Sequence, residues 1–219
     1  MVFPDRIAAG RMLGTRLGQF ANQKPVLVLA LPRGGVPVGL EVALALHAPL
    51  DVFLVRKLGF PGQQELAIGA IASGGASLLN EKMIRMLGIP SHHIEAITRQ
   101  ETHELERREH LYRGDRGAPD IPGRTLILVD DGMATGYTMR VAVTALRHKD
   151  PLEIIVAVPV ASSSACREVG QEADAVVCLS TPSEFCAVGE WYRNFSQVSD
   201  AEVRDLLDRA KLRPGLSPS

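Results

Sequence analysis

The residue types best placed to do chemistry in this chain are two adjacent acids, Asp130 and Asp131, followed at once by a loop of small and hydroxyl-bearing residues. Residues 126–138 read Leu-Ile-Leu-Val-Asp-Asp-Gly-Met-Ala-Thr-Gly-Tyr-Thr. The apolar run predicts a buried strand, Thr125–Val129, that delivers both acids at its C-terminal end, and a helix starting near Tyr137. Between them, Gly132 and Gly136 let the backbone turn sharply and come close to an anion. Met133, Ala134, Thr135, Tyr137 and Thr138 complete the loop, and the threonine hydroxyls with successive N–H groups can ring a phosphate at the helix N-terminus. The carboxylates suit the opposite need, because they accept hydrogen bonds from neighbouring hydroxyls such as the 2′,3′-diol of a ribose. A strand ending in two acids is common, and so is a Thr-Gly turn into a helix. It is the order of both that separates this run from an ordinary strand-to-helix turn.

A second set of anion-suited residues follows the first predicted strand, Pro25–Leu31, where Pro32 precedes Arg33-Gly34-Gly35. Arg33 offers a fixed fork of donors, and Gly34-Gly35 lets backbone N–H groups touch a pyrophosphate. A third set, Arg56 and Lys57, follows the second predicted strand, Leu50–Val55. In an open parallel sheet ligands collect beyond the carboxyl ends of the strands, so these loops are expected to meet. Alone, Arg56-Lys57 reads as a solvated surface pair and Arg33-Gly34-Gly35 as a tight turn.

The elements that must position them alternate. Further strand-like runs at Glu153–Val158 and Asp174–Leu179 are separated by helical stretches at Val36–His47, Tyr137–His148 and Ser162–Gly170. Continuous apolar strands alternating with helices predict a mostly parallel sheet covered on both faces, a three-layer α/β/α arrangement. Residues 5–22 place Ile7, Leu13, Leu17 and Phe20 on one stripe and predict an N-terminal packing helix. An insertion at about 57–124 divides into a mobile lid-like loop with a hairpin and a charge-dense helix, Ser91–Arg113, in which Arg107, Arg108 and Arg113 read as salt-bridged surface or as a face docked on a neighbouring subunit. His103, Glu106 and His110 share a face of that helix without a fourth ligand, so a solvated face is the better reading and no metal site is assigned. Residues 180–199 hold Phe185, Trp191, Tyr192 and Phe195, and a last helix is expected at Asp200–Ala210.

The 219 residues suit one domain spanning 1–219, and 46% apolar content is ample for its core. Lys+Arg of 24 against Asp+Glu of 25 gives a net charge of −1 and no field for nucleic acid. The three cysteines form no C-x-x-C pair, and no apolar run reaches the roughly 18 residues a membrane span needs. Small-molecule partners and a cytoplasmic setting are therefore expected.

Together these runs resemble the type I phosphoribosyltransferases, whose phosphoribosyl-diphosphate (PRPP) signature residues 126–138 match. More narrowly they are similar to a bacterial group with the runs found here at Val55–Gly59, Glu65–Ala70 and Glu106–Gly114. The resemblance implies a parallel sheet with the signature strand beside the first strand, a Leu66–Ala72 strand running antiparallel at one edge, and a homodimer. It implies transfer of ribosyl 5-phosphate from PRPP to a base or amine with release of pyrophosphate. By position, Asp130 and Asp131 would bind ribose, Ala134–Thr138 the 5-phosphate, with Gly132 and Met133 completing the PRPP loop, and Arg33–Gly35 with Arg56 and Lys57 the pyrophosphate. Glu65, Lys57 and Asp131 would be catalytic. Mg²⁺ would ride mainly on PRPP oxygens. Similar hypoxanthine-guanine enzymes carry an acid where this chain has Ala134, which disfavours a 6-oxopurine and leaves Glu65 as the alternative acid or base. Phe185 is a base-stacking candidate, with core packing as its simpler account. The competing function is a PRPP-sensing regulator without transferase activity, against which the near-neutral charge argues.

Overall fold

The computed structural model describes residues 1–21, 25–60 and 63–212, without the side chains of 60 and 63–67. Five parallel strands form the central sheet in the order β2-β1-β6-β7-β8: β1 (Val26–Ala30), β2 (Leu50–Val52), β6 (Thr125–Val129), β7 (Glu153–Val160) and β8 (Ala175–Ser180). The order runs outward from β1 to β2 on one side and from β6 to β8 on the other, so it reverses between β1 and β6. That reversal opens the crevice where ligands bind in such sheets. Every residue of β1 and of β6 is buried, because helices cover both faces and leave no polar side for alternation to show.

On one face lie α1 (Arg6–Arg16), α2 (Gly35–Leu46) and α7 (Asp200–Lys211). Leu13 and Leu17 from the α1 region, Val38 and Val42 from α2, and Val203 and Leu207 from α7 pack there against Val28, Ile127 and Ile155. On the other face α5 (Tyr137–Arg147) and α6 (Ser163–Val169) bring Met139, Val143, Leu146, Ala165 and Val169 against Leu27, Leu29, Leu128 and Val156. Ile7, expected on the packing stripe of α1, is 42% exposed, and the helix instead buries Ala9, Gly10, Leu13 and Gly14. Small residues win there because α1 lies close on α2: a Cβ on Gly10 would stand 2.8 Å from Val38 O.

The insertion departs from expectation in a way that matters for the site. The main-sheet strand ends at Val52 rather than running to Val55, and a separate antiparallel sheet begins, built from β3 (Val55–Phe60), β4 (Gln63–Ala72) and β5 (Ser77–Leu79). The chain turns out of the parallel ladder at Phe53 and Leu54, where Ser73 Oγ accepts from Leu54 N at 2.9 Å and Ser73 N donates to Leu54 O at 2.9 Å. The Leu66–Ala72 stretch is antiparallel as expected, yet its partners are β3 and β5, not an edge of the main sheet. Arg56 and Lys57 consequently sit inside β3, paired with Ile71 and Ala70, instead of at the end of β2.

Two helices follow, α3 (Glu81–Leu87) and α4 (Ser91–Arg113). Arg107 and Arg108 both bond Glu104 on the surface, as their spacing predicts. Arg113 does not. It is 5% exposed, donating to Asp51 Oδ1 at 3.0 Å, to Val52 O at 2.6 Å and to Glu109 at 3.0 Å, and so it rivets the end of α4 to β2 of the same chain. No helix among the described residues is long and apolar enough to cross a membrane.

Candidate functional site

The ends of β1 and β6 lie side by side, Ala30 opposite Val129, so the loops that follow them must meet. Leu31 N donates to Val129 O at 2.8 Å, and the chain then passes over the acid pair. A Cβ on Gly34 would lie 1.9 Å from Asp131 Oδ2, and one on Gly35 would lie 2.8 Å from Val129 O and 3.1 Å from Asp130 Oδ1. The approach is possible only because neither residue has a side chain. The structure thus brings Gly34 and Gly35 against Asp130 and Asp131. The Pro32–Arg33 peptide is cis.

The loop after the acids is braced from both sides. Met133 forms an isolated parallel bridge with Ala161, and Met133 N donates to Val160 O at 2.9 Å. Ser162 Oγ donates to Ala134 O at 2.7 Å. At Gly132 a Cβ would stand 2.6 Å from Val188 Cγ1, which leaves glycine as the residue that fits. Gly136, at φ 72°, caps α5 without a side-chain bond, and Thr135 Oγ1 accepts weakly from Tyr137 N at 3.4 Å. The first-turn N–H groups of α5 are those a helix leaves unpaired, and they border a cleft of about 170 Å³ lined by Asp130, Gly132, Thr135, Tyr137 and Thr138 among others. A helix N-terminus with a loop of this kind has the donors that suit an anion.

Burial dominates the electrostatics of the acids. Removal from water pushes the Asp130 carboxyl well above the usual carboxylate range, and the neighbouring Asp131 charge pushes it further, while the Asp131 N–H donated to Asp130 Oδ1 at 2.8 Å offsets part of this. Asp131 is raised by the same loss of water, opposed by Arg6. Arg6 Nε donates to Asp131 Oδ2 at 2.8 Å. The Arg6 guanidinium lies 3.9 Å from the Phe195 ring centroid and donates to Ser196 O at 2.8 Å. Tyr192, whose hydroxyl donates to Asp131 O at 2.6 Å, completes this wall. Reading along the sequence missed Arg6, Tyr192 and Phe195. Arg6 stands 125 residues from Asp131, and the one available signal was the aromatic density at 191–195 close to a buried acid pair.

Other predicted residues are distributed differently. Arg33 Nη1 is 3.9 Å from Asp200 Oδ1, the atom to which Tyr112 donates at 2.6 Å. Burial first, and then this bond, push the Tyr112 phenol up to about 12, so it stays neutral and a donor. Arg56 is held by Glu101 of α4 at 2.5 Å, and Lys57 is exposed. Among the described residues neither bonds to the loops at 33–35 or 130–138. Phe185 stacks on Trp191, centroids 6.4 Å apart and planes at 17°, at the edge of the small cluster around Phe3 and Tyr192. Ala134 is exposed and supplies no acid. The Glu65 side chain lies outside the described residues.

A family profile described as the phosphoribosyl transferase domain matches residues 6–199. Two relatives in Mycobacterium tuberculosis, from strains CDC 1551 and H37Rv, are 46% identical over 209 residues, and both are named provisionally as phosphoribosyl transferases. The match covers 95% of this chain and 47% of each relative, so the chain spans about half the length of the curated relatives it matches. The crystal structure of the protein TT1426 from Thermus thermophilus is similar with a TM-score of 0.81 at 40% identity, over 94% of this chain and 98% of that one.

Proposed function

We propose that this chain, which belongs to the phosphoribosyl transferase family, moves a ribosyl 5-phosphate group from PRPP to a nitrogen nucleophile and releases pyrophosphate. The observation that carries the reading is the contact between Gly34-Gly35 and Asp130-Asp131 at the strand-order reversal, with the α5 N-terminus beside it. It supports the reading because it brings two acids, suited to a diol, beside two loops suited to anions.

In this reading the 5-phosphate lies on the N–H groups of residues 134–138, and Asp130 and Asp131 accept from the ribose 2′- and 3′-hydroxyls. The diphosphate lies toward Arg33 and the Gly34-Gly35 backbone. The C1–oxygen bond to pyrophosphate breaks as the C1–nitrogen bond forms, and the proton of the attacking nitrogen leaves to solvent or to pyrophosphate. Positive charge grows at C1 and negative charge on the leaving group. Arg33 and the backbone N–H groups lower the barrier so far as they bind that growing negative charge more strongly than the substrate. Fixed donors of this kind need no rearrangement as the charge develops.

Mg²⁺ fits as a passenger on the substrate. Among the described residues no group of three or more His, Cys, Asp or Glu side chains forms a metal cage. The acid pair supplies oxygens of the hard type that Mg²⁺ takes one or two at a time, with the rest from phosphate and water. Bound there, the ion would neutralise diphosphate charge.

Arg56, now paired with Glu101, would need to exchange that carboxylate for diphosphate to take part. Lys57 is exposed and has no ion-pair partner among the described residues. Phe185, stacked on Trp191, is assigned to packing. The net charge of −1 favours small-molecule partners over nucleic acid. The test is a screen of purines, pyrimidines and amines for pyrophosphate release from Mg²⁺–PRPP. Release that depends on one acceptor supports the reading, and PRPP binding without release under any acceptor favours a PRPP sensor.

A further inference from the structure

The N-terminal segment is stitched to the aromatic strip at 191–196 and, through it, to the acid pair. Phe3 N donates to Trp191 O at 2.8 Å, and Arg193 N donates to Phe3 O at 2.9 Å. Asp5 caps α1 by accepting from Ala8 N at 2.7 Å, which fixes where the helix begins and so where Arg6 emerges. Arg6 then reaches Asp131 with its side chain 11% exposed and that of the acid 14% exposed.

The guanidinium is held on three sides: Asp131 Oδ2, Ser196 O and the face of Phe195. A planar fork suits this arrangement, and the point charge of a lysine would keep the charge but lose the stacking and one of the two directed bonds. Asp131 is held at its other end too, by the Tyr192 hydroxyl on its carbonyl. Since a carboxylate offers about four acceptor sites, the bond to Arg6 leaves capacity for a hydroxyl. We propose that Arg6, seated on Phe195, is a positioning residue that holds Asp131 oriented for a sugar diol. This rests on the transferase reading given above.

The experiment compares wild type, Arg6→Met, Arg6→Lys and Phe195→Leu by calorimetry with ribose 5-phosphate and, separately, pyrophosphate, with circular dichroism as the folding control. Arg6→Met is expected to weaken ribose 5-phosphate about tenfold, leaving pyrophosphate within about twofold. Arg6→Lys recovers part of that affinity. Phe195→Leu, at a 37% exposed position where folding is not at risk, weakens ribose 5-phosphate in the same direction by less. Undiminished ribose 5-phosphate binding in Arg6→Met and Phe195→Leu overturns the proposal while leaving the transferase reading intact. A wild-type protein that binds neither ribose 5-phosphate nor PRPP overturns that reading and the sugar role together. Equal losses for both ligands would make Arg6 a general structural residue and also overturn it.

Discussion

Gly34 lies so close to Asp131 that a Cβ on the glycine would stand 1.9 Å from Oδ2 and 2.6 Å from Cγ. The loops after β1 and β6 are therefore one surface, and neither can be altered alone.

Gly34→Ala should part that surface without unfolding the chain, since the clash is with a side chain at the sheet's end and not with the core. PRPP affinity is expected to fall by about tenfold or more, the scale of losing one charged hydrogen bond. Calorimetry with circular dichroism as the folding control checks this. Affinity unchanged in Gly34→Ala would show that the two loops do not act on one ligand.

Asp130→Asn should bind PRPP poorly and yet be more stable than wild type at neutral pH, by about 1 kcal/mol, as often holds where function strains a site. The sign follows from the raised folded-state pKa of Asp130. Between the unfolded value of about 4 and that raised value the folded chain holds the extra proton, so stability falls as pH rises through this window and is level above it. The gap between variant and wild type should thus narrow as pH drops from 7 toward 4. Urea midpoints at several pH values test it, and a gap that widens on acidification contradicts the burial argument.

Arg113→Met should cost about 3–5 kcal/mol, because it strands Asp51, 3% exposed, as a buried charge. Adding Asp51→Asn should return part of the loss. Urea denaturation of the single and double variants reads this directly, and a loss under about 1 kcal/mol in the single variant would mean that water reaches Asp51.

Arg33→Ala is expected to weaken pyrophosphate by about 1.5–3 kcal/mol while leaving ribose 5-phosphate nearly unchanged. Asp200, 3.9 Å from Arg33 Nη1, competes for the same guanidinium, so Asp200→Asn should tighten pyrophosphate modestly. Equal losses for the two ligands in Arg33→Ala would end this division of labour.

What the sequence made legible was what local pattern determines. The β6 strand, its two acids and the Gly132–Thr138 turn are contiguous, so their apolar run, charge and glycines state their structure directly. The pairing of β1 with β6 followed from the family resemblance and stands in the ladder from Val26–Thr125 to Ala30–Val129. The departures came from contacts between distant segments. Nothing near Phe53 announces that the chain leaves the parallel sheet there, because the turn depends on Ser73. Arg113 looked like its neighbours Arg107 and Arg108, and only the position of Asp51 makes it buried. The apolar stripe of residues 5–22 says nothing of Arg6, whose partners Asp131, Phe195 and Ser196 all lie more than a hundred residues away.

The most direct test of the central claim is calorimetric titration of the folded protein with Mg²⁺ and PRPP, alongside the Asp130→Asn, Asp131→Asn double variant. Saturable binding is predicted in the wild type, with a loss of at least about tenfold in the double variant, since two charged acceptors are removed. Heat indistinguishable from buffer in the wild type, or undiminished binding in the double variant, would contradict it.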